Sequence, residues 1–80
     1  MRRTLSPWLA IAIRQRREES GLSQEVLAER SHLHRTYISM VERAQRNISV
    51  DALNGIAEAL KVRPSQLLQQ AERLRAKSQR

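Results

Sequence analysis

A spacing recurs four times along this chain and limits what it can fold into. An apolar residue is followed by a residue that can start a helix, and another apolar residue comes five positions after the first: Leu22/Leu27, Leu33/Ile38, Ile48/Leu53 and Val62/Leu67. That is the distance from the residue before a helix cap to the fourth helical position, where two apolar side chains pack and fix how the chain enters the helix. The candidate caps are Ser23, His34, Ser49 and Arg63, the last before Pro64. A fifth start is Ser6-Pro7, read as Ser at the cap and Pro at the first helical position, with Gly21 placed to stop that helix.

Periodicity agrees with the punctuation. Leu53, Ile56, Ala57 and Leu60 fall at helical spacing, as do Leu67, Ala71 and Leu74 with Leu68 beside them. No stretch alternates long enough for a strand. The expected architecture is all-α: five short, compactly packed helices at about 6–21, 23–31, 34–43, 49–60 and 64–75. The 80 residues allow one domain, 1–80, with a basic arm at 1–5 and a frayed tail at 76–80.

Composition excludes several chemistries. With no Cys, disulfides and thiolate sites are ruled out, and a reducing cytoplasm fits best. The two glycines, Gly21 and Gly55, cannot form a nucleotide-cradling loop, and Trp8 and Tyr37 give no stacking platform for single strands. Met1-Arg2-Arg3 before Trp8–Ile13 imitates a signal peptide, but the apolar run is too short and leads into Arg14-Gln15-Arg16-Arg17. His32 and His34 share no helix face and have no partner for a metal site. No cofactor, catalytic group or small-molecule effector is expected. The net charge is +7, and thirteen of the fifteen cations are Arg, whose fork suits phosphate and guanine. This suggests a polyanionic partner, against the plainer reading of a solubilising surface.

The most informative segment is Gln24–Val41. Helix two (24–31), a tight turn (31–33) and helix three (35–43) can cross steeply because Ala28 is small, with Leu33, Ile38 and Val41 plugging the angle. This is the helix-turn-helix arrangement, whose second helix enters the major groove. Here the sequence resembles the phage-repressor (Cro/Xre-like) helix-turn-helix family, which implies a compact five-helix, repressor-like DNA-binding domain with the helix-turn-helix at helices two and three. The matching residues are Ile13-Arg14, Arg17, Gly21-Leu22-Ser23-Gln24, Leu27-Ala28, Arg35-Thr36-Tyr37-Ile38-Ser39, Glu42-Arg43, Arg46-Asn47, Ile48-Ser49, Leu53, Ile56-Ala57 and Leu60. The string Arg-Thr-Tyr-Ile-Ser with Glu-Arg and Arg-Asn is most similar to restriction–modification controller proteins. Three positions depart from the family pattern. His32 and Ala44 stand where glycine is usual and a positive φ is expected, and Arg16 stands where an apolar residue is usual.

Arg35, Thr36 and Ser39 lie where helix three meets base edges, and Arg35 is suited to guanine O6 and N7. Tyr37 is a further candidate base contact, reaching a base or a phosphate through its hydroxyl, against the plainer reading that it packs against the end of helix two. Gln24, at the start of helix two, and Arg43, Arg46 and Asn47, after helix three, are candidate backbone contacts. The resemblance implies a mostly buried ion pair between Arg17 and Glu42. Glu25 and Glu29 form either a solvated face or an acidic patch that meets RNA polymerase, as in activating relatives. Met40 is expected to pack at the edge of helix three.

One short recognition helix reads few base pairs, so the expected partner is a pseudo-palindromic double-stranded operator bound by a homodimer. Leu60, Val62, Leu67, Leu68, Ala71 and Leu74 are the candidate dimer surface, and Gly55 is either a close approach across it or a weak spot. With the resemblance, the expected function is a sequence-specific dimeric transcriptional regulator that controls restriction–modification gene expression at its own promoter. A prophage-type repressor, an antitoxin autorepressor and a protein-interaction module with weak DNA binding remain as alternatives.

Overall fold

The computed structural model describes residues 4–79. Five α-helices follow one another: α1 (Ser6–Glu19), α2 (Gln24–Ser31), α3 (Arg35–Glu42), α4 (Val50–Ala59) and α5 (Pro64–Ser78). Helix α1 packs on α5 and α3, α2 on α3 and α4, and α4 on α5. Ile13, Leu27, Ile38, Ile56 and Leu67, from five different helices, are fully buried at the centre. Each contributes about 1.5–3 kcal/mol of apolar burial. No described helix is long and apolar enough to cross a membrane. The basic-arm residues Arg2 and Arg3, and Arg80 of the tail, lie outside the described residues.

Four helix ends share one device. Gly21, His32, Ala44 and Lys61 have φ of 71°, 59°, 55° and 60°, the left-handed region. At each, this residue's N–H donates to the carbonyl three residues back, and the next N–H to the carbonyl five residues back: Leu22 to Arg17, Leu33 to Ala28, Gln45 to Met40 and Val62 to Ala57. These paired bonds satisfy carbonyls that a helix end leaves open. Three of the four residues carry a Cβ. The sequence flags His32 and Ala44 but gives no sign of Lys61.

The next residue often serves twice. Leu22, Leu33 and Val62 each close one helix and stand just before the cap of the next, packed against the core. Such a residue makes the stop of one helix the start of another. The caps then follow expectation at Ser23 and Ser49, whose hydroxyls accept from Val26 N–H (3.1 Å) and Ala52 N–H (3.0 Å). His34 occupies the cap position of α3 without a side-chain bond. At Arg63, Gln66 Oε1 accepts the Arg63 N–H at 2.7 Å.

Several expectations are corrected. Leu5, not Ser6, caps α1, because its backbone (φ −95°, ψ −14°) has already turned helical. The Ser6 hydroxyl instead donates to Asn47 Oδ1 at 3.3 Å. The expected frayed tail is helical through Ser78. Leu60, Leu67 and Ala71 are 6%, 0% and 0% exposed within the single chain, so they belong to its own core, and Leu67 and Ala71 have no surface left to offer a partner. Val62, Leu68 and Leu74 are half-buried against that core. Gly55 serves an approach within the chain: a Cβ there would stand 3.2 Å from Ser31 O on α2. Ser31 itself is buried, its hydroxyl donating to Leu27 O at 2.6 Å. Arg16, at the position where an apolar residue is usual, donates to Gln70 Oε1 at 2.9 Å, while Gln70 donates to Gln15 at 2.7 Å.

The Arg17–Glu42 pair implied by the resemblance is present. Arg17 Nε and Nη2 donate to Glu42 Oε2 and Oε1 at 2.7 and 3.0 Å, and Arg17 Nη1 donates to Leu22 O at 2.8 Å. The side chains are 12% and 2% exposed. The hydrogen-bonded Glu42 carboxylate holds the Arg17 guanidinium above its ordinary range, outweighing burial, which works the other way. No buried side-chain nitrogen or oxygen among the described residues lacks a partner.

Two predictions follow from the packing and the turns. Glu42→Gln leaves Arg17 facing an uncharged amide and should cost about 3–5 kcal/mol of unfolding free energy, with DNA specificity per folded molecule unchanged. An unaltered urea midpoint would contradict the pair's role. Ala44→Gly and Lys61→Gly each relieve a left-handed Cβ and should each add about 1 kcal/mol. For a domain of this size that raises the Tm by about 4–8 °C per change, measured by thermal unfolding. A drop in Tm would show that these turns carry no strain.

Candidate nucleic-acid interface

Helix α3 has two sides. At about 100° per residue, Arg35, Ser39, Arg43, Thr36 and Met40 fall on one arc, and Tyr37, Val41, Ile38 and Glu42 on the other. Burial follows that division: Ile38, Val41 and Glu42 are buried, while Arg35, Thr36 and Arg43 are exposed and Ser39 is half-exposed. The base-contact candidates Arg35, Thr36 and Ser39 therefore share the outward side. Met40 is half-buried at its edge, as expected.

Tyr37 is not on that arc. It is half-buried against the core, and its hydroxyl accepts the Ser49 N–H at 3.3 Å. The Arg46 guanidinium lies over its ring, 5.5 Å from the centroid. The packing expected against the end of α2 is made instead with the start of α4 and the loop before it.

The loop between α3 and α4 lies beside this surface. Arg43, Arg46 and Asn47 are all exposed. Arg43 Nε donates to Ser39 O at 3.3 Å, which caps the end of α3. Asn47 is held by Ser6 through its carbonyl oxygen, a bond that uses neither of its N–H donors. Leu33, Tyr37, Arg46, Asn47, Ser49, Asp51 and Ala52 line an open concavity between α3 and the start of α4.

Two polar contacts escape sequence reasoning. Gln24, expected only as a backbone contact, is half-buried and donates to Glu42 Oε1 at 3.1 Å. The start of α2 is thereby tied to the ion pair that anchors α3. Glu25 pairs with Arg35 at 3.3 Å, both side chains largely exposed at 67% and 60%. The candidate base reader thus has an acidic neighbour on α2, while Glu29 is exposed without being part of that pair. Ten residues apart, the two stand at the first turns of the two crossing helices.

Electrostatics at this face are mixed rather than uniformly basic. Arg35, Arg43 and Arg46 bring three cations around α3, and Glu25 brings one opposing charge. Such an arrangement neutralises phosphates where the cations reach them and repels them where the carboxylate does. Among the described residues no three His, Asp or Glu side chains come together to hold a metal ion.

Comparison with known proteins matches this geometry. Control protein C.BamHI of Bacillus amyloliquefaciens is 51% identical over 53 residues, covering 66% of this chain and 65% of that protein. The crystal structure of the restriction–modification controller protein C.AhdI from Aeromonas hydrophila superposes with a TM-score of 0.75 at 41% identity, over 76% of this chain and 92% of that one. A mutant of the controller protein C.Esp1396I superposes with a TM-score of 0.86 at 32% identity, over 96% and 98%. Residues 13–67 match the HTH_3 helix-turn-helix family, a span that contains α2, α3 and the loop that follows. The chain belongs to this family of helix-turn-helix DNA-binding regulators.

Proposed function

We propose that this protein is a dimeric, sequence-specific regulator of restriction–modification gene expression that binds an operator at its own promoter. The observation that carries the reading is the outward arc of α3, where Arg35, Thr36 and Ser39 stand clear of the core beside the exposed cations Arg43 and Arg46. Relatives named as control proteins of restriction–modification systems supply the regulatory context. Arg35 is the base reader, forking onto guanine, and Arg46, Asn47 and Arg43 meet phosphates that flank the groove. Gln24 holds the start of α2 to Glu42, and its second N–H remains for a phosphate.

A single short recognition helix covers only part of one groove, so two protomers on half-sites about 34–36 Å apart supply the affinity. With Leu60, Leu67 and Ala71 used in the core, the dimer surface falls to the half-buried Val62, Leu68 and Leu74. The acidic pair Glu25 and Glu29 faces away from the core on α2, where a polymerase bound beside the operator would meet it.

Selecting bound duplexes from a randomised pool tests the function. A shared pseudo-palindrome should emerge, bound at least ~10³-fold tighter than random duplex at equal salt. No enrichment would contradict the reading. On the selected duplex, Arg35→Ala should cost about 1–3 kcal/mol at one base pair and relax its identity, whereas Arg46→Ala should weaken all sequences alike and lower the salt slope by about one. Equal loss on every variant operator for Arg35→Ala would place that residue on the backbone instead. Sedimentation should show a dimer at micromolar concentration that Leu68→Glu dissociates. A wild-type monomer, with one protomer per duplex, would remove dimerisation from the account. Glu25→Gln with Glu29→Gln should leave operator affinity equal or tighter, because Glu25 no longer opposes phosphate or holds Arg35, and should lower transcription at matched occupancy; transcription that follows occupancy leaves the two as a solvated face.

A further inference from the structure

The pair Asn54-Gly55 stands in the middle of α4, where neither residue favours a helix. The fold shows what Gly55 does there. A Cβ on it would stand 3.2 Å from Ser31 O, at the end of α2, so the two helices approach backbone to backbone. That carbonyl has little room to give, because Ser31 is buried and its hydroxyl donates to Leu27 O and Ala28 O at 2.6 and 3.3 Å. Asn54 has the opposite setting. It is exposed on the outer side of α4, with exposed Asp51 three residues before it and exposed Glu58 four after.

Asparagine followed by glycine is a chemically reactive sequence. Glycine puts no Cβ beside its own nitrogen and leaves the backbone free to turn, so that nitrogen can attack the preceding side-chain amide. The Gly55 nitrogen bonds to Asn54 Cγ, the Cγ–Nδ2 bond breaks, and ammonia leaves with the proton that the nitrogen carried. Water then opens the five-membered succinimide. Hydrolysis at the former side-chain carbonyl gives aspartate, and hydrolysis at the former backbone carbonyl gives isoaspartate. In a closed α4 the ring does not form. The helical ladder commits each N–H to the carbonyl four residues back, and helical φ and ψ keep the Gly55 nitrogen away from Asn54 Cγ. The Ser49 cap, accepting Ala52 N–H at 3.0 Å, and the burial of Leu53 and Ile56 hold the helix closed.

We infer that Asn54-Gly55 is a deamidation site gated by the opening of α4, and that the contact with Ser31 calls for the glycine that makes the asparagine reactive. Both products unsettle the helix in which they form. Aspartate places a third carboxylate on that side of α4, three and four residues from Asp51 and Glu58. Isoaspartate routes the main chain through an extra methylene where Gly55 lies against Ser31. The change is one-way, so the folded protein ages at the rate at which α4 opens. The reaction depends on the fold alone and not on operator binding.

Peptide mapping by mass spectrometry after incubation at mildly alkaline pH tests this, with isoaspartate labelled by an isoaspartyl methyltransferase. In guanidinium chloride above the unfolding midpoint, the peptide holding Asn54 should show the amide-to-acid mass change. Asn47, followed by the bulky Ile48, should stay intact and serves as the internal control. In the folded protein the change at Asn54 should be at least about tenfold slower. Ser49→Ala, which removes the cap of α4, should speed it about fivefold in the folded protein and leave the rate in denaturant unchanged. Hydrogen exchange of the Gly55 N–H in the wild type measures the same opening, and its protection should rise and fall with the slowing of deamidation. An Asn54 that survives in denaturant would overturn the site, as would a signal that persists in Asn54→Gln. Equal rates in folded and unfolded protein would overturn the gate. So would rapid deamidation in a folded protein whose Gly55 N–H is well protected, or a Ser49→Ala variant that ages as slowly as the wild type.

Discussion

The buried pair of Arg17 and Glu42 is the constraint on which the DNA-binding face depends. Arg17 on α1 grips the carboxylate at the end of α3 with two bonds and the carbonyl of Leu22, in the turn before α2, with a third. Gln24 then ties the first residue of α2 to the same carboxylate. Four bonds thus fix the relative placement of α1, α2 and α3. A buried ion pair is weak evidence of net stability, since desolvating both charges offsets most of their attraction. Its contribution here is geometric: an apolar pair of equal volume would fill the space without setting the directions of three helices. The outward arc of α3 points where it does because its inner end is held at Glu42.

The second structural economy lies in the turns. Leu22, Leu33 and Val62 each bond back into the helix they follow and lean onto the core just ahead of the next cap. The helices of this chain are short, eight residues for α2 and α3, and would not persist alone in water. Each turn makes one apolar side chain contribute to two helix ends. This is also why the fold was readable from sequence: the recurring apolar spacing marks where helices begin. The left-handed residue before it was readable at Gly21 from the glycine itself, and at His32 and Ala44 where a family pattern expects glycine. Lys61 occupies that conformation with nothing in its identity to announce it, because the tertiary fit of Val62 imposes the turn.

The candidate site divides in the same way. Arg35, Thr36 and Ser39 were legible because helical spacing separates them from Ile38 and Val41, whose burial is obvious from their chemistry. The dimer surface was not. An apolar stripe on a helix states that something covers it, and periodicity alone does not distinguish a neighbouring helix of the same chain from a second chain. Leu67 and Ala71 proved to lie against the chain's own helices. Polar contacts between elements were least legible of all. That Gln24 bonds to Glu42, that Glu25 meets Arg35, and that Tyr37 reaches Ser49 depend on side-chain directions across helix crossings, which no local pattern encodes.

The central claim is that this anchored pair of helices presents one face to DNA. Mapping backbone amide shifts of the labelled protein on titration with a selected duplex tests it most directly. The account predicts that the large changes gather at Ser23 and Gln24, along Arg35 to Ser39, and through Arg43 to Asn47, while α5 from Leu67 onward stays near its free positions. Changes concentrated on α5, with Arg35 to Ser39 unmoved, would contradict it.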